Sequence, residues 1–63
     1  MLRAAKIIAL AEEAFGDRDR AMHWLNIPNP VFEDEAPVTL MDTESGTEWV
    51  EQLLGRMIYG VDA

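Results

Sequence analysis

Few residues in this chain of 63, which has no cysteine, could do chemistry. His23 is the single histidine, and Asp19 stands four residues before it, so both would share one face of a helix. That pair reads as one exposed hydrogen bond rather than as a catalytic dyad. Glu33, Asp34 and Glu35 supply carboxylates, but a calcium loop spreads its oxygen ligands over about 12 residues around a central glycine. Three consecutive acids have the wrong spacing, and they read as a solvated acidic loop or a contact for a basic partner. Ser45 and Gly46 stand where free helix amides could attract an anion, yet one glycine between two glutamates makes a poor phosphate cradle. Gly46 reads instead as a site of close helix packing. The chain carries no nucleophile with its base, no metal cluster and no phosphate cradle. The expectation is a protein that is not an enzyme, with no catalytic residue, no cofactor and no metal.

Charge narrows the choice of partner. Twelve acids face five basic residues, a formal net charge of −7. Nucleic acid phosphates and anionic membranes both call for Lys and Arg clusters that this sequence lacks. The acids suit a basic protein surface, where opposite charge speeds encounter and selects the partner; solubility alone is the plainer use of the same charge. No apolar run approaches the roughly 20 residues of a membrane-spanning helix, and no signal peptide is expected in the first residues, where Glu12 and Glu13 follow a short apolar stretch. A cytoplasmic location is the default.

Composition also bounds the fold. Hydrophobic residues make up 49% and charged residues 27%, proportions of a globular domain rather than of a disordered chain. A chain this short buries only about 60% of the surface it exposes when unfolded. Without disulfides or a structural metal, stability must come from helix packing or from a partner that completes the fold. One domain over residues 1–63 is expected.

The elements that carry these residues follow from spacing. Ala4, Ile7, Ile8, Ala11, Ala14 and Phe15 repeat at helical intervals opposite Arg3, Lys6, Glu12 and Glu13, which predicts an amphipathic helix over Leu2 to Phe15. Gly16 ends it and Asp17 caps a second helix, Arg18 to Asn26, which Pro28 and Pro30 stop. After a rigid turn and the acidic loop, Pro37 starts a short helix, Val38 to Met41. Thr43 caps the last helix, in which Trp49, Val50, Leu53, Leu54, Met57 and Ile58 form the strongest apolar stripe in the chain; Gly60 closes it. No segment reads as a strand. The fold class expected is all-α, a compact array of three main helices plus one short helix around Phe15, Trp24, Leu25, Leu40, Val50, Leu53 and Leu54. Trp24 and Trp49 are both expected in the core. Arg56, Tyr59 and the tail are the exposed candidates for binding, or else a plain solvated helix end.

One ordered set of residues goes further. Ala14-Phe15-Gly16-Asp17, Ala21, Trp24-Leu25, Pro28-Asn29-Pro30, Pro37, Leu40-Met41, Thr43, Gly46, Val50, Leu53-Leu54, Arg56 and Ile58 to Val61 together resemble the toxin-binding domain of Xre/MbcA/ParS-type antitoxins. The resemblance covers most of the chain. It implies a partner toxin of the RES type, with an ADP-ribosyltransferase-like fold, which either degrades NAD or uses it as an ADP-ribose donor. The antitoxin domain is then an inhibitor. In this family the last helix and the C-terminal end lie against the toxin near its NAD cleft, which maps onto Arg56, Met57, Tyr59, Gly60, Val61, Asp62 and Ala63. Steric occlusion is the implied mechanism, helped by Asp62 or the terminal carboxylate pairing with cations that otherwise hold NAD phosphates. A higher-order toxin–antitoxin complex is a further implication.

The chain departs from the family pattern twice. A glycine-containing turn usually precedes the middle proline, but here the residues are Phe32-Glu33-Asp34-Glu35, so this loop either differs in shape or meets the toxin through charge. Family antitoxins also carry an N-terminal helix-turn-helix domain that binds DNA, and none is expected in these residues. A second reading, from another class, is a homodimerisation module of a transcription regulator.

Overall fold

The order of elements follows the capping residues. The structure, a computed structural model, describes residues 2–60, with side chains from residue 4. Helix α1 runs Leu2–Phe15. It stops where Gly16 turns to φ +73°, and Gly16 N–H donates to the Glu12 carbonyl at 2.7 Å. One residue later Asp17, in extended conformation, accepts the Arg20 N–H at 2.9 Å and starts α2, Arg18–Leu25. The predicted end at Asn26 is one residue long, because Asn26 is the C-cap and its side chain turns back to donate to the Met22 carbonyl at 2.7 Å.

Between the prolines lies an element that hydrophobic periodicity did not announce. Pro30–Phe32 forms a short 3-10 helix, η1, whose cap is Asn29. The Asn29 carboxamide oxygen accepts the Val31 N–H at 2.9 Å. Its backbone carbonyl accepts from both Phe32 and Asp34 at 2.9 Å, and its N–H donates to the Glu35 carbonyl at 3.1 Å. One asparagine thus folds the segment back on itself, and the acidic residues continue the turn with Glu33 at φ +58° and Asp34 at φ +66°. This is the left-handed region, costly for a residue with a Cβ. The backbone therefore takes, without glycine, the conformation for which a glycine-containing turn is made.

Helix α3, Pro37–Leu40, is one turn with Pro37 at its start. Helix α4, Glu44–Tyr59, begins with the Thr43 hydroxyl accepting the Gly46 N–H at 3.0 Å. Thr47, a buried polar residue, donates its hydroxyl proton to the Thr43 carbonyl at 2.8 Å, with the Met41 carbonyl 3.4 Å away. The expected close packing at Gly46 is present. A Cβ there would overlap the Leu40 carbonyl oxygen, so the end of α3 rests directly on the backbone of α4.

Among the described residues the fold is all-α: three main helices, one short helix and the 3-10 turn, with no strand beyond an isolated bridge between Asn29 and Glu35. Its Cα radius of gyration, 10.8 Å, matches the ~10.6 Å of a compact chain this long. The core is Ile7 and Ala11 of α1, Ala21 and Leu25 of α2, Phe32 of η1, and Val50 and Leu54 of α4. Phe15, Trp24, Leu40 and Leu53 pack around it only partly buried.

One expectation about aromatics needs correction. Trp49 is not a core residue but is 39% exposed. The buried line of α4 passes through Gly46, Val50 and Leu54, and Trp49 sits at its edge. An indole there covers the core with one side, meeting the Phe32 ring edge-on at 5.0 Å between centroids, and leaves the other in solvent. Phe32, which no periodic pattern singled out, is fully buried and lies between Trp49 and Trp24, the latter centred 6.2 Å away. Trp24 in turn meets Phe15 at 5.5 Å, so four aromatic rings run in contact from α1 to α4.

Candidate protein-binding surface

Helix α4 sets the geometry of the candidate surface. Its last turn presents Arg56, Met57 and Tyr59, all exposed, with Tyr59 at 70% and Met57 at 44%. Gly60, at φ +60°, closes the helix by donating its N–H to the Arg56 carbonyl at 2.7 Å. A left-handed glycine is a common way to end a helix, and Gly60 sits directly after Tyr59. Four of the seven candidate residues are thus brought together on one helix end. The other three, Val61, Asp62 and Ala63, lie outside the described residues.

Arg56 belongs to this end for an electrostatic reason as well. A cation in the last turn faces the partial negative charge of the unpaired helix carbonyls, and among the described residues Arg56 makes no ion pair. Its guanidinium is available to a partner. Tyr59 offers a ring with a polar tip, the side chain that contributes most binding energy per residue at protein interfaces alongside Trp and Arg.

The exposure of Trp49 extends the surface beyond that end. Trp49, Leu53 and Met57 succeed one another at four-residue steps, so they form an inclined row on one side of α4. Trp49 and Met57 are exposed and Leu53 is half-buried. The sequence held one signal for this: Trp49 is flanked along the helix surface by Ser45, Glu48 and Gln52, so it borders the polar face. Val31, 54% exposed on η1, was likewise not singled out, since its neighbours gave no periodicity.

Apart from Arg56 at its end, the charge in the stretch that leads to this row is acidic. Between Arg20 and Arg56 there is no Lys or Arg, whereas Glu33, Asp34, Glu35, Asp42, Glu44, Glu48 and Glu51 all fall in that stretch. All but Glu51 are exposed. Glu51 approaches Lys6 of α1 at 3.6 Å, and Glu12 approaches Arg18 across the first turn at 3.2 Å. In both pairs the cation is exposed and the carboxylate only partly buried, so they are surface pairs of the kind worth less than about 1 kcal/mol. The stretch from the η1 loop to the first half of α4 is therefore acidic and without Lys or Arg, which disfavours anions and suits a basic surface.

The other candidates for chemistry stay apart. Asp19 and His23 are exposed and share no hydrogen bond. Among the described residues no group of His, Asp and Glu is placed to hold a metal ion, and no helix is long and apolar enough to cross a membrane. The arrangement is that of a contact surface, with an apolar row, an exposed tyrosine and arginine, and an acidic flank.

Comparison with known proteins agrees with this reading. Residues 10–60 match the family described as Antitoxin Xre/MbcA/ParS C-terminal toxin-binding domain. A protein named Antitoxin Xre from Pseudomonas putida is 35% identical over 60 residues, covering 95% of this chain and 38% of that protein. Another Antitoxin Xre, from Photorhabdus laumondii subsp. laumondii, is 32% identical over 63 residues, covering 94% of this chain and 43% of that protein. The chain thus spans about two fifths of the length of the curated relatives it matches. No solved structure matches it.

Proposed function

Since the chain belongs to the Xre/MbcA/ParS antitoxin C-terminal toxin-binding domain family, we propose that it neutralises a cognate toxin by binding it directly. The observation that carries this reading is the family match over residues 10–60, which includes the whole of α4 and its cap. The relatives' names, both antitoxins, support it. So does the exposed end of α4, where Arg56, Met57 and Tyr59 stand uncovered.

The toxin in this proposal is of the RES type, an ADP-ribosyltransferase-like protein that uses NAD, as the family resemblance implies. Arg56, Met57, Tyr59 and Gly60 lead the tail Val61-Asp62-Ala63 into its NAD cleft, and the inhibition is occlusion. A cleft that holds NAD phosphates must present cations. Asp62 is suited to pair with them, and the acids between Glu33 and Glu51 are suited to guide the approach.

Removing Val61, Asp62 and Ala63 tests the site while leaving the Gly60 cap in place. The expected result is loss of inhibition of the toxin with unchanged helical content by circular dichroism, and Tyr59→Ala should weaken binding by about tenfold or more, as for an interface hot spot. Full inhibition by both variants would remove the C-terminal end from the mechanism. A homodimer of the isolated chain that persists in the truncated form would favour a dimerisation module instead.

A further inference from the structure

Trp49 stands half in and half out of the core. One side of its indole meets the Phe32 ring edge-on at 5.0 Å between centroids, and the residue is still 39% exposed. The fully buried Phe32 holds the indole in place, so little side-chain freedom remains to be lost when the outer face is covered. A large aromatic that is both ordered and in water is the kind of residue that anchors a protein interface.

That outer face lies away from α1 and beyond the reach of the C-terminus. Glu51, which meets Lys6 of α1 at 3.6 Å, follows Trp49 by two residues and so stands ~200° around the helix from it. Three residues follow Gly60 and span at most about 11 Å when extended. The rise from Trp49 to Gly60 is ~16 Å, and helical side chains lean toward the N-terminus, which takes the indole further still.

Resting on the toxin-binding reading above, we propose that the bound toxin docks on the row Trp49, Leu53 and Met57, with Trp49 as its anchor, while the tail beyond Gly60 does the blocking. The row rises ~12 Å along α4 and runs into the exposed helix end at Arg56 and Tyr59. Leu53 is half-buried and Met57 is 44% exposed, so apolar surface continues along its whole length. The occupant is a toxin surface lined with aliphatic or aromatic side chains, shaped to take a flat indole. The family match, to a toxin-binding domain, takes in the entire row. A second copy of this chain fits less well, because it would bring −7 against −7, a juxtaposition that disfavours association.

Docking and blocking then use different residues. The anchor on α4 sets how tightly the toxin is held, and the tail sets whether a held toxin can work. Losing the anchor raises the concentration of chain needed for inhibition without lowering the inhibition reached at saturation.

Fluorine NMR of the full chain, made with fluorotryptophan, tests this without removing a side chain. The two tryptophans give two resonances, which Trp24→Phe assigns, and the shift difference between light and heavy water grows with exposure of each ring. On adding the unlabelled RES-type toxin proposed as the partner, the Trp49 difference should fall sharply. That of Trp24, packed between Phe15 and Phe32, should hold. An unchanged Trp49 resonance in a complex shown by size-exclusion chromatography would overturn the proposal. So would the same fall in the chain alone at raised concentration, which would give the row to a second copy. Trp49→Gln should raise the half-inhibitory concentration about tenfold or more and still inhibit fully at saturation. Parent-like inhibition by this variant would count against the anchor, and if it loses its helical content the fluorine measurement decides alone. A parent chain that forms no complex defeats the reading of function itself, a result separate from a complex in which Trp49 stays in water.

Discussion

Replacing Phe32 with alanine is the sharpest test of how this small core is held. The ring is fully buried and touches both indoles, Trp49 at 5.0 Å and Trp24 at 6.2 Å between centroids. Removing a buried phenylalanine ring costs ~3–5 kcal/mol in transfer and cavity terms. The whole stability expected for 63 residues, at ~0.05–0.15 kcal/mol per residue, is only about 3–9 kcal/mol. Phe32→Ala should thus lose most of its cooperative transition or all of it. Phe32→Leu keeps most of the volume but forfeits the edge-on ring contacts, and should lose about 1–2 kcal/mol. Val31→Ala, next in the chain but exposed, should stay within ~0.5 kcal/mol of the parent. Urea titrations followed by far-ultraviolet circular dichroism and by tryptophan emission read all three, because the two tryptophans flank the deleted ring. If Phe32→Ala melts within about 1 kcal/mol of the parent, the ring is not the centre of the core and the packing of η1 described above is wrong.

Two further predictions concern backbone. Glu33→Gly relieves a left-handed residue whose side chain is exposed, and should stabilise the domain by ~0.5–1 kcal/mol in the same titration, while Glu33→Ala, which keeps a Cβ, should give no gain. Gly46→Ala forces the end of α3 away from α4 and should destabilise by ~1–3 kcal/mol as overpacking, despite the better helix propensity of alanine; a neutral or positive effect would contradict the contact with Leu40.

Much of this architecture was legible before any coordinates. Asp17, Thr43, Gly16 and Gly60 act locally, through one side-chain oxygen or one left-handed residue, and each marks its helix end where spacing placed it. Val50 and Leu54 lie at the centre of a long apolar stripe, so periodicity put them in the core correctly. Ile7, Ala11 and Ala21 lay on the predicted apolar faces, but which positions on a face are fully covered depends on the neighbouring helix. Trp49 shows the same limit: a stripe gives a direction, not its width, and the indole at its edge is exposed.

Phe32 was hidden for a different reason. Phe32 sits in a turn built by hydrogen bonds to Asn29, and such a turn leaves no period in the sequence. At the candidate surface, the sequence pointed to Arg56, Met57, Tyr59 and Gly60 through resemblance; the structure adds their shared exposure and the apolar row through Trp49, Leu53 and Met57.

The central claim, that this chain silences a toxin by direct contact, is tested most directly by co-expressing it with the RES-type toxin proposed as its partner. Size-exclusion chromatography would report association, and NAD consumption by the toxin would be followed with and without the chain. The account predicts co-elution and loss of NAD turnover in the complex. Separate elution, with toxin activity unchanged by a saturating excess of the chain, would contradict it.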